Sequence, residues 1–77
     1  MFLQRIDFID KDYFDHILIS QYGSFKEAAT NLNISVQSIY YIRRHERMSL
    51  DFFTYLIDEI PEIQAKKLMP KLAAYFK

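Results

Sequence analysis

The residues with most chemistry to offer stand between Val36 and Arg47, where VQSIYYIRRHER mixes an amide, a hydroxyl, phenol rings and guanidinium groups. If Ile39 and Ile42 face inward on a helix, Gln37, Tyr40, Tyr41 and Arg44 fall on the outward side at about 100° per residue, with Val36 and Ser38 at its margins. Those types suit the edges of base pairs. A glutamine amide pairs with adenine through two hydrogen bonds, an arginine does the same with guanine, and valine can touch a thymine methyl. Val36, Gln37, Tyr40, Tyr41 and Arg44 are therefore the expected base contacts. Groups suited to phosphate surround them. Arg43 and Arg47 supply charge, while Ser24, Lys26 and Ser35 stand at helix starts where free backbone N–H groups point outward. Each residue also has a purely structural role open to it. The tyrosines can pack on neighbouring helices or a partner chain, the arginines can complement a helix C-terminus, and the serines can cap.

Catalytic and metal-site chemistry finds little support. His16 and His45 are the only histidines and have no HExxH spacing. Asp10 and Asp12 suggest a calcium loop, but the glycine and closing glutamate of such a loop are missing, and a helix cap accounts for them more simply. A single glycine excludes a glycine-rich phosphate loop, and the absence of cysteine excludes thiolate metal sites and disulfides. No enzyme activity, metal or cofactor is expected.

The outward face needs a scaffold, and residues 24–44 read as one. Ser24 and Glu27 form an S-x-x-E capping box, followed by the apolar positions Phe25, Ala28, Ala29 and Leu32 on one helical face. Asn33-Ile34-Ser35 breaks that period, and Ser35 can cap a second helix carrying Ile39 and Ile42. Ala29 is small enough to stand where two helices cross, and Asn33 tolerates the positive φ that such a turn requires. At Ala28-Ala29, Leu32, Ile34, Ser35, Ile39 and Ile42 the chain resembles the phage Cro and lambda-type repressor family of helix-turn-helix DNA-binding proteins. The resemblance covers about a quarter of the chain, and Asn33 replaces the usual glycine of the turn. It implies a lambda repressor-like fold and a regulator that lays its second motif helix in the major groove.

Seventy-seven residues make one small domain, residues 1–77. One glycine and two prolines leave little room for a turn-rich β fold, so an all-α bundle of about five short helices is expected. Residues 1–9 have no clean period and read as extended or irregular. Asp10 caps a helix from Lys11 to Tyr22, with Phe14, Ile17 and Leu18 facing the core and Gly23 stopping it. His45 to Met48 reads as a connection, and Ser49 caps a fourth helix reaching about Ile60, striped by Leu50, Phe53, Leu56, Ile57 and Ile60. Pro61 can open a fifth helix to Leu68, and Pro70 interrupts before a last turn from Lys71 to Phe76.

Ten basic and ten acidic residues give zero net charge, which weakens non-specific attraction to DNA. The cluster of Arg43, Arg44, His45 and Arg47 restores a local basic surface. An apolar fraction of 51%, with seven Phe and six Tyr, is rich for so small an interior. A homodimer contact is therefore expected through 61–77, at Leu68, Met69, Leu72, Tyr75 and Phe76, helped by Phe52 and Tyr55. No apolar run approaches a membrane span, and MFLQRIDFID lacks the order of a signal peptide, so a cytoplasmic protein is expected. The resemblance implies a sequence-specific transcriptional regulator, a Cro-like phage or prophage repressor binding a double-stranded operator as a dimer. The alternatives are a helical protein–protein interaction module that keeps the motif packing without its DNA face, and an antitoxin or operon autoregulator.

Overall fold

Four short polar side chains start the four longer helices, each by accepting a backbone N–H three residues on. Asp10 accepts from Tyr13 at 3.1 Å and opens α1 (Lys11–Tyr22). Ser24 accepts from Glu27 at 3.1 Å and opens α2 (Phe25–Leu32). Ser35 accepts from Ser38 at 3.3 Å for α3 (Val36–His45), and Ser49 from Phe52 at 3.1 Å for α4 (Leu50–Glu59). A first-turn N–H otherwise lacks a partner, and each such cap contributes about 1 kcal/mol. The computed structural model in which these elements are seen describes the backbone of residues 5–7 and all of residues 9–70. The described chain is mostly helical, with five helices, as its composition predicts.

The ends of these helices are as informative as their starts. Gly23 stops α1 at φ 93°, and Asn33 stops α2 in the left-handed region at φ 58°, ψ 45°. Asn33 donates its N–H back toward Ala29 and Thr30, and Ile34 donates to the Ala29 carbonyl at 3.0 Å. These bonds close the three-residue turn Asn33–Ser35 between α2 and α3. α3 ends less predictably, on Glu46 at φ 53°, ψ 43°, a left-handed cap filled by neither glycine nor asparagine.

Within the segment expected to be extended or irregular, Arg5–Asp7 is extended, and it pairs with part of the expected connection. β1 (Arg5–Asp7) runs antiparallel to β2 (Arg47–Ser49), with Ile6 opposite Met48. The expected connection His45–Met48 is therefore split, since His45 closes α3 and Arg47 and Met48 enter β2. This ribbon sits beside α3 and α4 and adds Met48 to the core.

The core is continuous. α1 contributes Phe14, Ile17 and Leu18, α2 contributes Ala28, Ala29 and Leu32, and α3 contributes Ile39 and Ile42. Ile9, Leu56, Ile60, Ile63, Leu68 and Met69 complete it, and no polar or charged residue among those described is buried. α1 packs on α2, α3 and α5, and α2 packs on α3. α4 is the loosest: only Leu56 is buried, while Leu50, expected in its apolar stripe, is exposed at the first turn. Its Tyr55 hydroxyl donates to the Leu32 carbonyl at 2.9 Å and ties α4 to the end of α2.

The C-terminal half departs from expectation in two ways. α5 spans only Ala65–Leu68, not Pro61 to Leu68. Pro61 holds Ile60 in an extended conformation (φ -128°, ψ 82°), and residues 61–62 then form a turn closed by Ile63 N–H on the Ile60 carbonyl at 3.1 Å. Ile63 is thereby buried, and Gln64 donates its N–H to the Tyr13 hydroxyl at 2.9 Å. Leu68 and Met69, expected at a dimer contact, are 1% and 4% exposed and fill the chain's own core. The Asp10 N–H donates to the Leu68 carbonyl at 2.7 Å, which draws that residue in against the start of α1. Leu72, Tyr75 and Phe76, and the expected turn from 71 to 76, lie outside the described residues. Among the described residues no helix is long and apolar enough to cross a membrane.

Candidate nucleic-acid interface

Burial of Ile39 and Ile42 fixes the rotation of α3, and the rest of its side chains follow. Gln37, Tyr40, Tyr41 and Arg44 are all exposed, on the side opposite the core. Val36 is half-buried and packs against the core edge, which leaves it less to present outward than the other four. Tyr40 and Tyr41 retain 48% and 52% of their exposure, a large fraction for phenol rings in the middle of a helix.

Neither ring is loose. Tyr40 meets Phe25 in a T-shaped arrangement, with centroids 6.3 Å apart and planes at 85°. Tyr41 lies against His45 one turn on, with centroids 4.3 Å apart and planes tilted by 45°. Such pairs favour one orientation by roughly 0.5–1.5 kcal/mol, enough to bias a surface rotamer. The α3 surface is thus a shaped aromatic and amide face with Arg44 and His45 at its C-terminal end.

The expected phosphate contacts divide. Ser24 is half-buried and Lys26 exposed at the start of α2, while Ser35 is exposed at the start of α3. Both serines are already helix caps, with Ser35 Oγ also 3.0 Å from Ser38 Oγ. The reciprocal bond of the capping box, from Glu27 back to Ser24, is not made among the described residues. Arg43 departs from the expected set. Its Nε donates to Asp15 Oδ1 at 2.8 Å and its Nη2 to Asp15 Oδ2 at 3.2 Å, so the guanidinium is held against α1. The hydrogen bond to Asp15 raises its pKa, against a smaller lowering by burial. The guanidinium carbon also stands 4.5 Å from the Phe25 ring centroid. The cause is rotational: Arg43 follows the buried Ile42 and points back toward the helices, whereas Arg44 points away.

Arg47 lies on β2, half-buried, with its Nε buried and without a partner among the described residues. It lines an open groove of about 600 Å³ that runs along α3 past Gln37 and Tyr41 to Met48, Ser49 and Phe52. The capping serines of α3 and α4 border this same groove, so two helix starts and one guanidinium converge on it. The rest of its lining is mostly apolar, from Ile34, Tyr41, Ile42, Met48 and Phe52.

Sequence reasoning did not pick out Asp15, Phe25, Ser49 or Phe52 as parts of this surface. Asp15 and Arg43 are 28 positions apart, and no local pattern pairs them. Phe25 read as core, and is in fact half-buried with its ring shared between the core and Tyr40. Ser49 and Phe52 enter because β2 brings the start of α4 beside α3. Among the described residues no three His, Asp or Glu side chains gather as metal ligands would. No protein-family model matches the chain, and no curated protein or solved structure is significantly similar to it.

Proposed function

We propose that the chain is a sequence-specific regulator that binds double-stranded DNA, with α2, the Asn33–Ser35 turn and α3 acting as a helix-turn-helix. The observation that carries this reading is the outward face of α3. On the side away from the two buried isoleucines, Ile39 and Ile42, the helix turns the Gln37 amide, two half-exposed phenols and the Arg44 guanidinium outward. A helix of 10 residues presenting that set fits a major groove and carries groups able to tell base pairs apart. Lys26 and the start of α2 would meet the backbone on one side, and Arg47 with the starts of α3 and α4 on the other. Repression would follow from occupying a promoter, in the cytoplasm and without a cofactor. One such helix reads too few base pairs for specificity, so the active form is a two-fold dimer on a pseudo-palindromic site.

Selection from a pool of random-sequence duplexes with the purified protein tests the reading. A single enriched motif, bound with an affinity that falls steeply with salt, supports it. Zero net charge and the exposed tyrosines favour one other reading, a module that binds a protein partner through α3. Failure to enrich any sequence, with no salt-dependent binding to duplex, would replace the first reading by the second.

A further inference from the structure

Tyr40 is half exposed, and a ring so placed samples several rotamers unless a neighbour holds it. Phe25, the first residue of α2, is that neighbour. Arg43 covers Phe25 at 4.5 Å, and both oxygens of the Asp15 carboxylate grip Arg43. A single line of contacts therefore runs from α1 to α3, then to α2, and back to the outward face of α3. The bidentate pair fixes the plane of the guanidinium as well as its position, which a lysine ammonium would not. The ion pair is only partly exposed, at 30% for Arg43 and 24% for Asp15, so water competes for it less than at an open surface.

We infer that Asp15 is a specificity-determining positioning residue: it locks Arg43 over Phe25, and Phe25 then sets the orientation in which Tyr40 meets a base. The proposal rests on the DNA-binding reading above. It makes a prediction of unusual sign. Asp15 is an acid near a polyanion, so its charge alone would oppose binding to every duplex. Its removal would also free Arg43 for a phosphate. On those grounds Asp15→Asn should bind all DNA more tightly. The contact line predicts the reverse for the selected site, because a released Arg43 no longer orders Phe25 and Tyr40.

The test compares two probes, the duplex that the wild-type protein enriches from a random pool and a random-sequence duplex of equal length. Fluorescence anisotropy at one salt concentration reads affinity for both. Asp15→Asn should weaken binding to the enriched duplex about tenfold, the loss typical of one imperfect base-pair contact, with random-sequence binding unchanged or tighter. Phe25→Leu, which leaves the ion pair intact, should lower the ratio similarly, and Asp15→Glu should restore most of it. In a Tyr40→Ala background Asp15→Asn should change the ratio little further. The Tyr40 ring signals of the free protein, followed by NMR, should shift in Asp15→Asn and return in Asp15→Glu. If Asp15→Asn does not fold, Phe25→Leu decides. An unchanged ratio in Phe25→Leu, or tighter binding of Asp15→Asn to both probes, overturns the proposal. If the wild-type protein enriches nothing, the DNA-binding reading fails at that first step and this proposal fails with it, an outcome distinct from a failure of the variants alone.

Discussion

Leu68→Ala separates the two places that Leu68 could occupy, the chain's own core and a surface between chains. The side chain is 1% exposed, and truncation removes three carbons. At about 0.8 kcal/mol per buried carbon the lost transfer energy is roughly 2.4 kcal/mol. The cavity left behind adds to that, and measured Leu→Ala losses in cores run from about 2 to 5 kcal/mol. Leu68 sits in a helix of only 4 residues that can settle inward, so the lower half of that range applies, about 3 kcal/mol. A domain of this length has a total stability of roughly 4–12 kcal/mol, so the loss is a large share of it. The melting temperature should fall by about 12–24 °C. Urea unfolding followed by circular dichroism, at two protein concentrations far apart, checks the figure. The same loss at both concentrations is expected, since Leu68 packs within one chain. A loss below about 1 kcal/mol, or one that depends on protein concentration, would place Leu68 between chains and refute the packing described here.

Four further outcomes are expected. Ala29→Leu should cost on the order of 1–3 kcal/mol by overpacking between α2 and its neighbours, read as a lower melting temperature; an unchanged value would mean that the helices do not pack closely there. Arg47→Ala should weaken binding to selected and random duplexes alike and lower the salt slope by about one, whereas Gln37→Ala should cost roughly 1–3 kcal/mol on the selected duplex alone; equal losses for Gln37→Ala on both would move it away from the bases. Tyr22 carries a pKa raised above 10.0, first by burial and then by the Glu59 charge. The folded chain therefore holds this proton more tightly than the unfolded one. Its contribution to stability is complete below the unfolded value and is lost as pH rises through the folded one. Urea midpoints at about pH 9 and pH 11 should converge in Tyr22→Phe relative to wild type, and an identical alkaline loss in both proteins would remove Tyr22 from the account.

The parts of the fold legible in the sequence were those written in adjacent residues. Asp10, Ser24, Ser35 and Ser49 each cap the helix that follows, and Gly23 and Asn33 end helices at positive φ. Ile39 and Ile42 set the rotation of α3 through spacing alone. What escaped was set by partners distant in the chain. Strands of three residues carry no readable period, so the pairing of Arg5–Asp7 with Arg47–Ser49 left no trace. Glu46 takes a left-handed cap that local preference assigns to glycine or asparagine, because the ribbon must start there. Pro61 marked a boundary, but the buried Ile63 turned what read as a helix start into a turn. The sequence shows little chain to cover Leu68 and Met69, yet both are buried, with α5 packed on α1. In the candidate interface Gln37, Tyr40, Tyr41 and Arg44 were legible by rotation, whereas the capture of Arg43 by Asp15 depends on how α1 lies against α3.

The residue that caps α1 is itself held from far along the chain. Ile9 donates its N–H to Glu46 at 2.9 Å, and Asp10 donates to Leu68 at 2.7 Å. On a ribosome α1 is synthesised early, yet the acceptor that secures its cap is the last residue of the last described helix. The nascent chain can form α1, α2 and α3 and pack them together, but the Asp10 bond waits until α5 has left the exit tunnel. Closing so long a loop is an entropic step taken late, and in reverse it is the step given up first. The amide of Asp10 is thus the clasp of the domain, and its hydrogen exchange should report the opening before any of the longer helices unwinds.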